Sequence, residues 1–186
     1  VLDQTFTNFE YIVVDDGSTD GTLREMMLRV NHPQIKIIRL PQNVGLSSAC
    51  NMALKNARGK YLVRVDADDE LVDHSLETLV REINYDSSIA GVYPAYYREG
   101  SVVQNYDHHT GGAIIRASAY HETLFCDGLR HFESRDFYRR LSNRFKTKNL
   151  SVATWKYNKT EGSLSESNTK GRFEQKDFVE WPKIST

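Results

Sequence analysis

The chain has 186 residues, and its 24 basic and 25 acidic side chains give a formal net charge of −1 at pH 7. That length suffices for one domain with a sizeable core, and the balanced charge argues against nucleic acid as a partner. No apolar stretch approaches the length of a membrane span, and Cys50 and Cys126 offer neither a disulfide framework nor a metal-ligand spacing. These features favour a reducing, cytoplasmic setting.

The first half of the chain alternates apolar runs with helical periods. Strands are predicted at 10–16, 34–40 and 60–66, as continuous apolar runs typical of strands buried on both faces. Helices are predicted between them, and a further helix follows that carries Leu76, Leu79, Val80 and Ile83. Alternating strands and helices at this spacing indicate crossover connections and a mainly parallel sheet.

The second half has a different pattern. Two apolar runs on either side of Gly100 predict a hairpin, and shorter strands are predicted at 111–116 and 151–157. A helix is predicted from Glu133 to Phe145, and the polar tail after Gly162 is predicted to be a loop. Since there is no internal repeat and no linker, the whole chain is predicted to form one α/β domain.

Acidic side chains follow two of the three early strands. Asp15 and Asp16 come after the first strand, and Asp66, Asp68 and Asp69 come after the third. Because ligands bind beyond the carboxyl ends of the strands in such sheets, these carboxylates are expected to face one crevice. Hard oxygen ligands at that density suit Mg²⁺ or Mn²⁺. Aspartate also caps helices and forms turns, and for Asp16 this alternative stays open.

Other ligand-binding motifs are excluded by specific positions. A calcium loop beginning at Asp66 would need glycine where Leu71 stands, and one beginning at Asp16 would have Met27 at its twelfth position. The glycine-rich loops of P-loop and dinucleotide-binding proteins are absent. The usual kinase-like and dinucleotide-binding interpretations are thereby removed.

The segments VLDQTFTNFEYIVVDDGSTDGT and NVGLSSACNMALKNARGKYLVRVDADDE resemble the nucleotide-binding half of the family 2 glycosyltransferases, inverting enzymes of the GT-A fold. TGGAIIR and YNKTEGSLS resemble stretches of the acceptor half. The resemblance implies a Rossmann-like, mixed and mainly parallel sheet flanked by helices. It implies a nucleotide-sugar-binding half at 1–86 and an acceptor-binding half at 87–186. The family's first strand and most of its first helix have no counterpart here, so an N-terminally truncated domain is expected.

The resemblance also implies roles for the acids. Asp16 would hydrogen-bond the nucleobase, typically uracil, and Asp66 and Asp68 would form the Asp-x-Asp motif. Asp68 and Asp69 would reach the ribose and the Mg²⁺ or Mn²⁺ ion on the diphosphate, whose charge the metal neutralises. The implied partners are a nucleotide-sugar donor, typically UDP-linked in this family, and a saccharide or lipid-linked acceptor. Peripheral contact with the inner face of the membrane is compatible with such an acceptor.

The base that deprotonates the acceptor hydroxyl is expected at the start of the helix in HFESRDFYRRL. The family usually has Glu-Asp there, whereas this chain has Glu133 and Ser134, and an unaided serine is no base at neutral pH. Glu133 and Asp136 are therefore the candidates, with Glu133 favoured. A structural alternative is equally open, in which Glu133 favours the helix N-terminus and Asp136 pairs with Arg139 or Arg140.

Further departures from the family pattern motivate other hypotheses. Cys50 stands where family members often have an arginine suited to the diphosphate, and Asn158 and Thr160 stand where an Arg-x-His pattern is common. A non-catalytic sugar-nucleotide-binding relic is one alternative. A phospho-accepting receiver domain is another, because it also places acids at strand ends, although it should carry a lysine at a later strand end.

Overall fold

The computed structural model describes residues 1–29, 31–106, 109–129 and 132–158. Within these ranges the strands are β1 Tyr11–Asp15, β2 Ile35–Arg39, β3 Tyr61–Val63, β4 Glu70–Leu71, β5 Ile89–Arg98, β6 Ser101–Val103, β7 Ile114–Arg116 and β8 Lys146–Lys156. The helices are α1 Thr22–Arg29, α2 Leu46–Asn56, α3 Ser75–Tyr85, α4 Ala117–Thr123 and α5 Glu133–Ser142.

The strands form two sheets. β1 and β2 pair in parallel from Tyr11 opposite Ile35 to Asp15 opposite Arg39. The larger sheet has the order β3-β7-β5-β8-β4, and β6 pairs with β5. Among its named strands only β5 and β8 run parallel, while the other pairs are antiparallel.

The predicted α/β class is found, but the strand directions of the larger sheet differ from the expected mainly parallel arrangement. In the β1–α1–β2 unit, a single helix joins two strands that pair directly and in parallel, as predicted. β5 and β6 are joined by a tight hairpin at Gly100, which requires antiparallel pairing. β3 pairs antiparallel with β7, which lies far along the chain, and sequence periodicity carries no information on such a partner.

Helices cover both faces of the larger sheet. Adjacent residues of a strand point to opposite faces, so Val92 and Ile114 pack with α3, while Tyr93 and Ile115 pack on the other side. The α3 side is built from Leu79, Ile83, Ile89, Val92 and Ile114. The opposite side is built from residues of α2, α4, α5 and the sheet, among them Leu54, Tyr93, Ile115, Ala119, Phe137 and Leu141. Each large apolar side chain buried here contributes roughly 1.5–3 kcal/mol to folding.

Several element boundaries differ from those predicted. The two-residue strand β4 and the seven-residue helix α4 were not predicted, because both are too short to produce a periodic apolar pattern. Helix α1 is preceded by Asp20, whose carboxylate accepts hydrogen bonds from the backbone N–H and the hydroxyl of Thr22. The predicted tail after Gly162 lies outside the described residues. No helix in the described ranges has both the length and the apolar character needed to cross a bilayer.

The first residues of the chain are fixed to the segment before α3. The Gln4 side chain donates to the carbonyl of Val72 at 2.7 Å and accepts from the backbone N–H of Leu76 at 3.0 Å. The backbone N–H of Thr5 donates to the carbonyl of Asp73 at 2.9 Å. These contacts bring the start of the chain to one side of the acidic turn that follows β3.

Candidate active site

An acidic turn, residues 66–69, follows β3. It is closed by a backbone hydrogen bond from Asp69 N–H to the carbonyl of Asp66 at 3.0 Å. Asp68 is exposed, whereas Asp66 and Asp69 are partly buried. The end of β8 lies over the turn, because Asn158 donates its backbone N–H to the Asp69 carboxylate and its side-chain amide to the carbonyl of Asp68.

Burial raises the pKa of Asp69 to about 7, against the opposing effect of the hydrogen bond from Asn158. The carboxylates of Asp66 and Asp68 contribute to this rise, because a third negative charge is unfavourable beside them, and Arg64 opposes it. The ionised form of Asp69 is therefore disfavoured, mainly by burial and in smaller part by repulsion from its neighbours. A bound cation would relieve this repulsion.

Asp66 has its own cation in Arg64. The guanidinium contacts both carboxylate oxygens, with Nε to Oδ1 at 2.7 Å and Nη2 to Oδ2 at 2.6 Å. Only 13% of the Arg64 side chain is exposed. Burial is the largest effect and lowers the pKa of the Arg64 guanidinium, but the charge and hydrogen bonds of Asp66, together with Cys50 and Tyr120, raise it above its ordinary value.

Arg64 also joins the acidic turn to the start of α5. Its Nη1 donates to Thr110 Oγ1 at 2.8 Å and to Ser134 Oγ at 3.2 Å, and the two hydroxyls lie 2.9 Å apart. Ser134 belongs to the first turn of α5, directly after Glu133. The structure thus brings Asp66, the first acid of the predicted Asp-x-Asp motif, and the predicted base region to one place.

Asp136, the second candidate base, takes part in ion pairs within α5. The Asp136 carboxylate is 2.9 Å from Arg140 and 3.7 Å from Arg139, and its side chain is 15% exposed. Arg140 additionally donates to the carbonyls of Thr123 and Leu124. The ion pair foreseen for Asp136 is therefore present and ties α5 to the end of α4. The catalytic roles of Glu133 and Asp136 both stay predictions.

Asp16 fixes a loop. Its carboxylate accepts the backbone N–H groups of Val44 and Gly45 at 2.7 and 2.9 Å, just before α2. Gly17 permits this close approach, since it has a φ of +77° and a Cβ there would lie 2.5 Å from the backbone of Gln42. A role for Asp16 at the nucleobase stays a prediction.

The neighbouring Asp15 is 4% exposed. Its Oδ1 accepts the backbone N–H of Ser18 at 3.0 Å, while its Oδ2 has no hydrogen-bond partner among the described residues. An open cleft of about 610 Å³ beside the acidic turn is lined by Asp66 and Asp69, and neither Asp15 nor Asp16 is among its lining residues. The crevice expected to contain all five carboxylates is thus not found in this cleft.

The polar face of α2 holds the loop that leads towards α5. Asn51 is 6% exposed, and its amide donates to the carbonyl of Phe125 at 2.9 Å and to the Asp127 carboxylate at 3.1 Å. Its Oδ1 accepts the backbone N–H of Phe125 at 2.9 Å. Ser48 donates to the same Asp127 carboxylate at 2.9 Å. The SSACN stretch therefore supports the loop at 124–129.

Beside this network, burial raises the pKa of the Cys50 thiol to about 11, with Arg64 opposing the change. The thiol is protonated at neutral pH, and the residue packs against the core. Gly111 and Gly112 pack against the indole of Trp155, which is 1% exposed and so lies in the interior. A Cβ at Gly111 would also lie 3.7 Å from Asp66.

The residues of the acidic turn could supply only some of the ligands of a divalent metal ion. No group of three or more His, Cys, Asp or Glu side chains in the described ranges is arranged to hold a metal ion. Asp66 is engaged by Arg64, which leaves Asp68 and Asp69 as the carboxylates of the turn. Two carboxylates fit Mg²⁺ or Mn²⁺, because these ions commonly take few protein ligands and complete their shell with water and substrate phosphates. Thr160 lies outside the described residues.

Sequence reasoning did not identify Arg64. Two signals were present: a charged side chain inside the apolar run YLVRV, and a spacing of two residues from Asp66, which places both on one face of an extended segment. The partners Thr110 and Ser134 could not be found this way, since they lie 46 and 70 residues from Arg64.

Comparison with known proteins agrees with this architecture. Chondroitin synthase of Escherichia coli is 39% identical over 138 residues, 72% of this chain and 20% of that protein. Hyaluronan synthase of Pasteurella multocida is 35% identical over 108 residues, 56% of this chain and 11% of that protein. The chain spans about a fifth or less of the length of these relatives.

Solved structures show the same fold. S. aureus TarS 1–349 in complex with UDP-GlcNAc has a TM-score of 0.76 at 24% identity, covering 89% of this chain and 54% of that chain. The mannosyltransferase PcManGT from Pyrobaculum calidifontis, in complex with GDP-Man and Mn²⁺, has a TM-score of 0.69 at 18% identity, covering 89% and 52%. These similarities confirm the GT-A fold.

The glycosyl transferase family 2 sequence model matches residues 1–159. Neither the receiver domain nor the non-catalytic relic is favoured by these matches. The chain belongs to glycosyl transferase family 2.

Proposed function

We propose that this chain carries the centre of an inverting glycosyltransferase that moves a sugar from a UDP-linked donor to a hydroxyl of a saccharide acceptor in polysaccharide synthesis. The observation that carries the proposal is the Arg64 contact between the acidic turn and the first turn of α5, at Ser134. Relatives named as chondroitin and hyaluronan synthases support a polysaccharide product. The UDP-GlcNAc bound to TarS supports the donor class.

In the proposed reaction, the acceptor oxygen attacks the anomeric carbon from the side opposite the diphosphate. The new carbon–oxygen bond forms as the bond to the diphosphate breaks, and the configuration inverts. Glu133 takes the acceptor proton, which makes the oxygen a better nucleophile as the bond forms. Asp136 is the second candidate base, although its ion pair with Arg140 already occupies its carboxylate.

Asp68 and Asp69 would hold Mg²⁺ or Mn²⁺ together with the donor diphosphate. The bound ion supplies neutralisation of the negative charge that develops on the leaving nucleoside diphosphate. The raised pKa of Asp69 and the electrostatic crowding of the turn support a cation there. Asn158 holds Asp69 in place through its backbone N–H.

Calorimetry with UDP, GDP and dTDP, each with and without Mn²⁺, tests the donor site. We expect UDP to bind best and Mn²⁺ to strengthen its binding. Asp68→Ala should abolish the Mn²⁺ effect with the fold intact, whereas Glu122→Ala, at an exposed ion pair with Arg144, should preserve it. Metal-independent binding would contradict the metal assignment. UDP binding without release of sugar from any nucleotide-sugar donor would instead support a non-catalytic binding protein.

A further inference from the structure

The Arg64 guanidinium joins three segments that are distant in sequence. It contacts Asp66 in the acidic turn, Thr110 before the two glycines, and Ser134 in α5. The Thr110 and Ser134 hydroxyls also contact each other at 2.9 Å, so these two residues and Arg64 form a closed ring of contacts, which Arg64 joins to Asp66. Of the guanidinium nitrogens, Nε and Nη2 are directed at the carboxylate and Nη1 at the hydroxyls.

Stability alone is a weak reason for this arrangement. Taking a guanidinium and a carboxylate out of water is costly, and well-packed apolar side chains often stabilise a fold equally well. What an ion pair of this kind does provide is direction, because the planar fork of arginine fixes the orientation of a carboxylate that it binds through two nitrogens. The geometry of Arg64 therefore suits a role in fixing the positions of its partners relative to one another.

Two positions depend on this network. The Asp66 carboxylate is held by both oxygens, so its charge is matched and its orientation is set before a donor arrives. The first turn of α5 is held through Ser134, which directly follows Glu133 in that turn. Displacing a reacting group by about 1 Å can lower a rate by about 100-fold, so the anchoring of this turn matters for turnover.

We propose that Arg64 is a positioning residue of the transfer reaction, which sets the first turn of α5 against the acidic turn through Ser134 and Thr110. This inference rests on the proposed function, because it assumes that the α5 turn carries the base. Arg64 acts through its neighbours and is not assigned a contact with substrate. Its loss should lower turnover much more than it changes the apparent affinity for the donor.

The test compares Arg64→Gln and Arg64→Lys with Arg116→Lys. Arg116 is the matched control, since it donates to the carbonyls of Ile83 and Ile89 beside the opposite end of β3, outside the network. We expect Arg64→Gln to lower kcat by about 100-fold while the donor KM changes less than about threefold. Arg64→Lys keeps the charge but loses the fork, so it should recover only part of kcat.

Coupling between Arg64 and Ser134 gives a second measurement. Ser134→Ala should lower kcat on its own but have little further effect when combined with Arg64→Gln, because the contact is already lost. Independent additive effects of the two substitutions would overturn the proposed route through Ser134. A rise in donor KM at unchanged kcat, or a loss of kcat no larger than in Arg116→Lys, would overturn the positioning role.

Hydrogen exchange separates this proposal from the proposed function. In Arg64→Gln, backbone amides at 110–112 and 133–136 should exchange about tenfold faster, while those of α3 stay unchanged. Unchanged exchange at these amides would overturn the proposal whatever the activity. If the unsubstituted chain turned over no nucleotide sugar, the proposed function would fail, and the exchange result alone would decide whether Arg64 anchors α5.

Discussion

Asn51→Ala should destabilise the protein strongly, because this side chain satisfies two buried backbone groups of one residue. Its amide donates to the carbonyl of Phe125 at 2.9 Å, and its Oδ1 accepts the N–H of Phe125 at 2.9 Å. With only 6% of Asn51 exposed, water has little access to replace either bond. Each buried group left unpaired costs about 1–3 kcal/mol, so we expect a loss of about 2–5 kcal/mol.

Urea denaturation followed by far-ultraviolet circular dichroism measures this loss. Asn56→Ala is the matched control on the same helix, since Asn56 bonds the carbonyl of Met52 and an exposed Lys36 amine. We expect the control to cost less than about 1 kcal/mol. A loss for Asn51→Ala that does not exceed the control would refute the reasoning, because it would mean that the loop at 124–129 folds without this bridge.

Three further predictions concern the acids and the glycine turn. Glu133→Gln should lower the rate of sugar transfer by about 10²–10⁴-fold with UDP binding retained. If Glu133→Gln were fully active while Asp136→Asn was folded but inactive, the base assignment would be reversed. Because the pKa of Asp69 is about 7 in the folded chain, the metal-free protein should lose stability as pH rises from about 4 to 7, and thermal unfolding of Asp69→Asn should lack this loss. Gly112→Ala would put a Cβ 2.3 Å from the neighbouring indole at a φ of +69° and should cost at least about 2 kcal/mol in urea, more than Gly128→Ala, which has the same strain but open space.

The local elements of the fold could be predicted from sequence because their signals are local. The apolar runs at β1 and β2 and the helical spacing in α2 and α3 each follow from the residues of one segment. Strand order was not accessible in this way. β3 pairs with β7 and β5 with β8, and these partners are set by packing between distant segments.

The candidate site was predictable to the extent that its acids adjoin a strand end. The turn at 66–69 could be located because three carboxylates follow one apolar run. The contacts of Asp16 could not be foreseen, since the backbone N–H groups that it accepts belong to a loop 28 and 29 residues further along the chain. The role of Asp16 in holding this loop is therefore seen only in the folded structure.

Cys50 and Ser134 both differ from the residues that are usual in the family, and both suit a site that already contains Arg64. Burial and the Arg64 charge both act on the Cys50 thiol, so an arginine at position 50 would bring a second cation against the first. A carboxylate at position 134 would likewise compete with Asp66 for the same guanidinium, whereas the Ser134 hydroxyl accepts its hydrogen bond without adding charge. The buried cation of this site is Arg64, which follows β3, and the Asp66 carboxylate balances its charge. In the proposed reaction the base is then a neighbour of Ser134, and our candidate is Glu133, which precedes it in the same turn.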